Sequence, residues 1–323
     1  MTNFWLELPK PFTVLAPMDD VTDNVFRKLI NETARPNVFF TEFTNADGMV
    51  SSGRVIVARK LKFEPPQRPI VAQIWGNNPD TIYRAAKIIK EMGFDGIDIN
   101  MGCPVREVIK KCAGAGLIGK YELAKAIIDA VKKGAHGIPI SVKTRLGIGT
   151  NIAGEWATFL LKQNLDALTI HARTASQMSK VPADWNEVGK IVELKNQIAP
   201  KTLIIGNGDI KSFAEVLEKS RIYGVDGVMI GRGIFDNAWV FDPIDKGNHT
   251  QSEYLDLLIK HLDYFEKDNP DPVIIKKRYP ALKKFFKMYI KEFNGASLLR
   301  QKLMETETIT EARTIITGLK NSL

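Results

Sequence analysis

A chain of 323 residues with 44% apolar and 25% charged residues has an ordinary globular composition and can bury a full core. No apolar run approaches the ~18 residues needed to cross a bilayer, and the N-terminal MTNFWLELPKPF lacks the basic-then-apolar order of an export signal, so a cytoplasmic protein without a membrane partner is expected. Two cysteines and four scattered histidines argue against a disulfide framework or a zinc site, so no metal is expected, while a net charge of +8 leaves room for a polyanionic partner.

Along the first three quarters, short aliphatic runs alternate with segments of helical spacing. The runs are FTVLAPM (12–18), NVFFTEF (37–43), PIVAQIW (69–75), GIDINMG (96–102), PISVKTR (139–145), ALTIHAR (167–173), TLIIGNG (202–208) and GVMIGRG (227–233). Eight strands alternating with helices, each strand apolar on both faces, predict an α/β fold of the (β/α)8 TIM-barrel type. The least regular element is expected at 47–62. FDPIDKGNHT (241–250) reads as a linker, and beyond Glu253 the spacing is helical throughout. This predicts a barrel over 1–245 and a smaller all-helical C-terminal domain over 246–323.

Each strand ends in residues that a barrel core would not select: Pro17-Met18-Asp19, Glu42, Gln73, Asn100, Lys143 with Arg145, His171 with Arg173, Asn207 with Asp209, and Arg232. In such a barrel these ends share the face that carries active sites. In the helical region, 281–293 (ALKKFFKMYIKEF) is expected to form one helix, with Leu282, Phe285, Phe286, Tyr289 and Phe293 on one face and Lys283, Lys287 and Lys291 on another. Nine basic residues lie in 273–302, Lys276, Arg278 and Arg300 among them, against the single acid Glu292. That segment alone matches the net charge of the chain and suits a phosphate backbone.

GAGLIG (114–119) matches a dinucleotide-binding pattern in letters only. It does not directly follow a strand, because VREVIKKCA separates it from the strand ending near Asn100, so it is read as a tight loop entering a helix at about 122–132. Cys103 stands at a strand end between Gly102 and Pro104, where a thiol that is protonated at neutral pH can donate a proton; Cys112 lies outside the strand. GNGD (206–209) and GRG (231–233) end the last two strands, where barrels of this kind often bind phosphate.

Together, APMDDVTDNVFR (16–27), TEF (41–43), QIWG (73–76), DINMGCP (98–104), VKTRLG (142–147), IHART (170–174), GNGDI (206–210), MIGRG (229–233) and FNGASLLRQKL (293–303) resemble the tRNA-dihydrouridine synthase family over nearly the whole chain. The resemblance implies FMN, reduced by NADPH, as the cofactor and tRNA as the partner, with the chain acting as a monomer. Hydride would reach C6 of uracil and Cys103 would protonate C5. Pro17, Met18, Asp19, Gln73, Lys143 and His171 would border the flavin ring, and Asn207, Gly208, Asp209, Gly231 and Arg232 would hold its phosphate. Asn100, Arg145 and Arg173 would face the uridine, and Lys276, Arg278 and Arg300 the RNA. Asp19-Asp20 and Ala172 depart from the family's usual Ala-Gly and Gly, and Val105-Arg106-Glu107 from its lysine-rich pattern. A flavin enzyme acting on a free pyrimidine and a non-catalytic tRNA-binding protein are the alternatives.

Overall fold

The computed structural model describes residues 3–291 and 293–321; Glu292 lies outside the described residues. Parallel strands β1 (Phe12–Leu15), β2 (Val38–Phe40), β3 (Thr44–Asn45), β4 (Ile70–Trp75), β5 (Gly96–Met101), β6 (Ile140–Arg145), β7 (Ala167–His171), β8 (Leu203–Asn207) and β9 (Gly227–Ile230) follow one another around a closed barrel. β1 pairs with both β2 and β9, and β4 pairs with both β2 and β3, so nine strands fill eight positions. The single run expected over 37–43 is therefore two short strands. The ladder breaks at Thr41–Phe43, where the Thr41 hydroxyl donates to the Glu42 carbonyl at 2.9 Å and the Glu42 carboxylate accepts the Asp20 amide at 2.7 Å.

Helices α1 (Asn24–Thr33), α2 (Ala46–Val50), α3 (Arg54–Ala58), α4 (Pro79–Glu91), α5 (Arg106–Lys110), α6 (Tyr121–Gly134), α7 (Ala153–Leu161), α8 (Trp185–Ile198), α9 (Phe213–Tyr223) and α10 (Gly233–Asp236) alternate with the strands. Local chemistry fixes their ends. Asn78 caps α4 ahead of Pro79, and Ser212 caps α9, which Gly224 closes at φ +68°. The irregular element expected at 47–62 is the pair α2 and α3 followed by a 3-10 turn, Arg59–Leu61.

The barrel interior holds an apolar and a polar set of side chains. Leu203, Ile205, Met229, Phe12, Val14, Ala16, Val38 and Phe40 join Trp5 in one apolar cluster. Burying side chains of this size stabilises the fold by roughly 1.5–3 kcal/mol each. Across β4 to β7 the two-residue alternation turns Gln73, Asp98, Asn100, Ser141, Lys143, Arg145, Thr169 and His171 to the inner face. Val71 of β4 and Ala167 of β7 belong to the same apolar cluster, so on these strands the polar side chains lie nearer the C-terminal ends than the apolar ones.

Two compact units emerge. The first holds the chain up to Asn24 and Pro36–Gly231; the second holds Val25–Arg35 with the residues from Arg232 onward. The second unit contains α11 (Gln251–Asp268), α12 (Pro272–Leu282), α13 (Phe286–Tyr289), α14 (Ala296–Glu305) and α15 (Ile309–Lys320). Thr250 and Glu253 form a reciprocal capping box that starts α11. Phe26 of α1 stacks on Phe285 with ring centroids 5.2 Å apart. His261 meets the Tyr289 hydroxyl at 2.8 Å, and burial pulls this imidazole down to about 3, so it is neutral.

The single helix expected over 281–293 is instead the end of α12, a 3-10 turn over Lys283–Phe285, and α13. Its aromatic residues Phe285, Phe286 and Tyr289 are buried as expected. Its lysines do not form one stripe. Lys283 donates to the Met304 carbonyl at 2.9 Å and Lys291 to the Asp236 carbonyl, whereas Lys276, Lys277, Lys284 and Lys287 are exposed.

Candidate active site at the barrel mouth

A directed chain of hydrogen bonds crosses β4, β5 and β6. The Asn100 oxygen accepts the backbone N–H groups of Gly102 and Cys103 at 3.0 and 2.9 Å. Its amide nitrogen donates to Gln73 Oε1 at 2.9 Å, and Gln73 Nε2 donates to Asp98 Oδ2 at 2.7 Å. Ser141 donates to the other Asp98 oxygen at 2.6 Å. Every one of these side chains is buried, so each bond is made away from competing water.

This chain supports a tight turn at Gly102-Cys103-Pro104. The Cys103 carbonyl accepts the Ala115 amide at 3.1 Å, which folds the following loop back over the cysteine. Gly114 sits at φ +55°, and a Cβ there would lie 2.9 Å from Cys103 Cβ; a Cβ on Gly116 would lie 2.7 Å from the Ile109 carbonyl. Gly114 and Gly116 of GAGLIG thus serve close packing, in a 3-10 turn (Gly114–Leu117) before α6. Burial pushes the Cys103 thiol up from its ordinary value and the Asp19 carboxylate adds to this, while a hydrogen bond from the Val105 backbone, and then Arg145 and Lys143, oppose it. The thiol is the neutral-pH form. Cys112 is half-buried, in a left-handed conformation at φ +53°.

Lys143 Nζ donates to Asn207 Oδ1 at 3.1 Å, and Asn207 in turn donates to the Met229 carbonyl at 2.8 Å, which links β6, β8 and β9. Burial, reinforced by Arg145, pulls Lys143 down to about 7, and burial pushes Asp98 up to about 7. Beside Lys143 in register, the Thr169 hydroxyl is buried without a hydrogen-bond partner among the described residues. Arg145 donates to the carbonyls of Gly102 at 2.8 Å and Thr174 at 3.2 Å. Beyond the barrel, Leu146, Ala175 and Ser176 amides donate to the carbonyls of Arg173, Gly147 and Ile148 at 3.2, 2.9 and 2.9 Å, raising a stiff rim above β6 and β7. Arg173 donates to the Val181 carbonyl at 2.6 Å and pairs with Asp209, which also accepts the Ala183 amide at 2.8 Å.

Just past β8, Gly208 has φ +137°, and a Cβ there would lie 2.8 Å from Ala183 Cβ and 3.6 Å from His171 Cδ2. A Cβ on Gly231 would lie 3.6 Å from Ala16 Cβ and 3.7 Å from Met18 Sδ. Ala16 donates to the Ile230 carbonyl at 2.9 Å and Met18 to the Thr22 hydroxyl at 2.9 Å, fixing the backbone on either side of Pro17. Asp19, Asp20 and Glu42 bring carboxylate oxygens within 4.8 Å of one another, and Lys60 pairs with Asp19. Burial and nearby Asp23 push Glu42 up to about 7.

The strand-end residues singled out in the sequence thus meet through direct bonds: Gln73 with Asn100, Asn100 with Cys103, Arg145 with the Cys103 turn, and Lys143 with Asn207. Arg232 opens the second unit as the cap of α10, and Lys276, Arg278 and Arg300 belong to that unit. There, Arg278 bonds Asn269, and Arg300 donates to the Ile290 carbonyl at 2.7 Å. Asp98, Ser141 and Lys60 were not singled out. The alternation that faces Asn100 inward also faces Asp98 inward, and an inward acid is itself a signal. Lys60 gave no such sign, because its partner lies 41 positions away in a different loop.

A (β/α)8 barrel with polar, titratable side chains and a buried thiol at its C-terminal mouth has the make-up of an enzyme's active-site face. The family model described as dihydrouridine synthase matches residues 14–322, and the chain belongs to that family. It is 46% identical over 316 residues to a protein of Staphylococcus aureus named probable tRNA-dihydrouridine synthase, covering 97% of this chain and 94% of the relative. It is 45% identical over 317 residues to probable tRNA-dihydrouridine synthase 2 of Bacillus subtilis, covering 97% and 95%. A solved 2-naphthoyl-CoA reductase is similar in fold, with a TM-score of 0.54 and 10% identity over 72% of this chain and 49% of its own.

Proposed function

We propose that this chain reduces specific uridines of tRNA to 5,6-dihydrouridine, with FMN as its resident cofactor and NADPH as the reductant. The observation that carries the reading is the Cys103 thiol, held protonated by burial and clamped by Asn100 at the mouth of the barrel. Bound FMN, once reduced by NADPH, supplies the hydride for C6 of the uracil.

The residues of the mouth suit such a group. The Thr169 hydroxyl beside Lys143, unpartnered among the described residues, offers an unused polar contact, and Lys143 in its protonated form offers a cation for negative charge at the ring's pyrimidine end. Pro17, Met18, Asp19, Gln73 and His171 would border the ring. Asn207, Gly208, Asp209 and Gly231 would take the ribityl phosphate through backbone N–H groups, the two glycines leaving room for its approach. Cys103 donates its proton to C5 of the uracil, and the nearby Asp19 carboxylate opposes premature loss of that proton. Asn100, Arg145 and Arg173 would orient the uridine.

A uridine stacked within folded tRNA cannot enter a barrel, so the base has to leave its stack. The exposed Lys276, Lys277, Lys284 and Lys287 supply cations for the RNA backbone. No described helix is long and apolar enough to cross a membrane, and we place the enzyme in the cytoplasm, where tRNA is matured, acting as a single chain. The test is direct: purified protein is yellow, its NADPH-reduced flavin is reoxidised faster with unmodified tRNA than without it, and the product nucleoside is heavier by two hydrogens. A colourless protein, or a yellow one indifferent to tRNA, overturns the assignment.

A further inference from the structure

Asp98 contributes nothing to the proposed reaction as written above, yet it lies wholly inside the barrel, with both carboxyl oxygens bonded. The direction of the chain that ends on it is chemically forced. Backbone N–H groups can only donate, so Asn100 must present its oxygen to Gly102 and Cys103 and its nitrogen to Gln73. Gln73 must then present its oxygen to Asn100 and its nitrogen onward, and the residue receiving that nitrogen has to accept.

We infer that Asp98 is a positioning residue: by accepting from Gln73 it fixes the amide orientations of Gln73 and Asn100, and through them the turn that holds the Cys103 thiol. Its meaning for turnover rests on the function proposed above; the geometric role does not. Ser141 is the adaptable member. Its hydroxyl donates to Asp98 here, and it can equally accept, because a hydroxyl carries both capacities.

The consequence is a suppressor relation. Asp98→Asn keeps an acceptor for Gln73 and can turn its new amide donor toward Ser141, so the chain survives. Gln73→Glu leaves two carboxyl groups facing each other with no donor between them, and the chain fails once their shared proton is removed. Adding Asp98→Asn to Gln73→Glu restores it: the new amide nitrogen donates to Glu at 73, which still accepts from Asn100, and Ser141 donates to the new amide oxygen.

The experiment uses the full-length, flavin-loaded protein and these three variants at pH 8.5, with two readouts. The first is the rate of Cys103 alkylation by iodoacetamide, followed by mass spectrometry of its peptide, which does not depend on turnover. The second is tRNA-driven reoxidation of the reduced flavin. Gln73→Glu is expected to raise alkylation at least fivefold and slow reoxidation at least tenfold. Asp98→Asn should change either by less than threefold. The double variant should return alkylation to within twofold of the parent and recover most of the reoxidation rate. A double variant no better than Gln73→Glu in alkylation overturns the inference, as does Asp98→Asn behaving like Gln73→Glu. If the parent's flavin ignores tRNA while the alkylation pattern holds, the proposed function fails and the positioning role stands.

Discussion

Substituting Gly114 by alanine puts the packing around the thiol to a quantitative test. At φ +55° an added Cβ meets the carbonyl that follows it, costing roughly 1–2 kcal/mol for an L residue. The same Cβ would lie 2.9 Å from both Cys103 Cβ and Val108 Cγ1 and 3.1 Å from the Cys103 carbonyl oxygen. None of these is the free end of a flexible side chain, so the turn itself has to move, at the ~1–3 kcal/mol typical of overpacking. The sum is about 2–5 kcal/mol, which in a domain of this size lowers the melting temperature by roughly 4–20 °C. Gly119 is the matched control: φ is +81°, and the nearest atom to an added Cβ is Ile152 Cδ1 at 3.6 Å, an ordinary contact. Gly119→Ala should therefore show the backbone cost alone. Thermal melts and tRNA-dependent turnover at 25 °C, with both variants fully folded, separate the two effects. Gly114→Ala should melt several degrees lower than Gly119→Ala and turn over about tenfold or more slower, because displacing a reacting group by a fraction of an ångström is costly. Equal melting temperatures and equal turnover would refute the claim that this glycine exists to seat Cys103.

Further outcomes follow from the same geometry. Cys103→Ala should nearly abolish dihydrouridine formation, measured by nucleoside mass spectrometry, with flavin still bound, while Cys112→Ala should leave the rate within about twofold. Burial raises Asp98 to about 7, so its contribution to stability is complete below pH 3.8 and is lost as pH rises through about 7. Melting curves of Asp98→Asn should therefore match the parent near pH 4 and gain on it progressively up to pH 8; a constant difference would show that the carboxyl is not perturbed. For RNA affinity, each of Lys276→Ala, Lys277→Ala, Lys284→Ala and Lys287→Ala should reduce the slope of log affinity against log salt by about 0.7–0.9, as expected for one lost phosphate contact. Arg300→Ala should lower the melting temperature, because its guanidinium is bonded to the Ile290 carbonyl.

The barrel was legible because burial on both faces leaves near-continuous aliphatic runs, and the mouth because strand ends there carry Gln73, Asn100, Lys143 and His171 where packing alone would favour aliphatic side chains. What stayed hidden depended on partners distant in sequence. Whether a lysine in 273–302 is free or tied cannot be read from its neighbours: Lys283 and Lys291 reach carbonyls 21 and 55 positions away, while Lys284 and Lys287 are exposed. The break in the second strand is set by a carboxylate contact between Glu42 and Asp20 that periodicity does not encode. Asp98 sat in plain view within DINMGCP, but only the bonds of its inner-face neighbours show which way the amides point.

The membership of α1 in the second unit has a consequence for how this protein is made. Phe26 lies against His261 and Phe285, and Glu32 pairs with Lys260, so an early helix has its partners near the end of the chain. At ~5–20 residues per second of synthesis, the apolar side of that helix waits on the order of 10 s or longer for them to leave the ribosome. During that interval it is a natural site for chaperone capture. A chain cut at residue 245 would never end the wait, so the truncated product should partition into aggregates instead of yielding a bare barrel, and point substitutions are the sound way to separate RNA binding from folding.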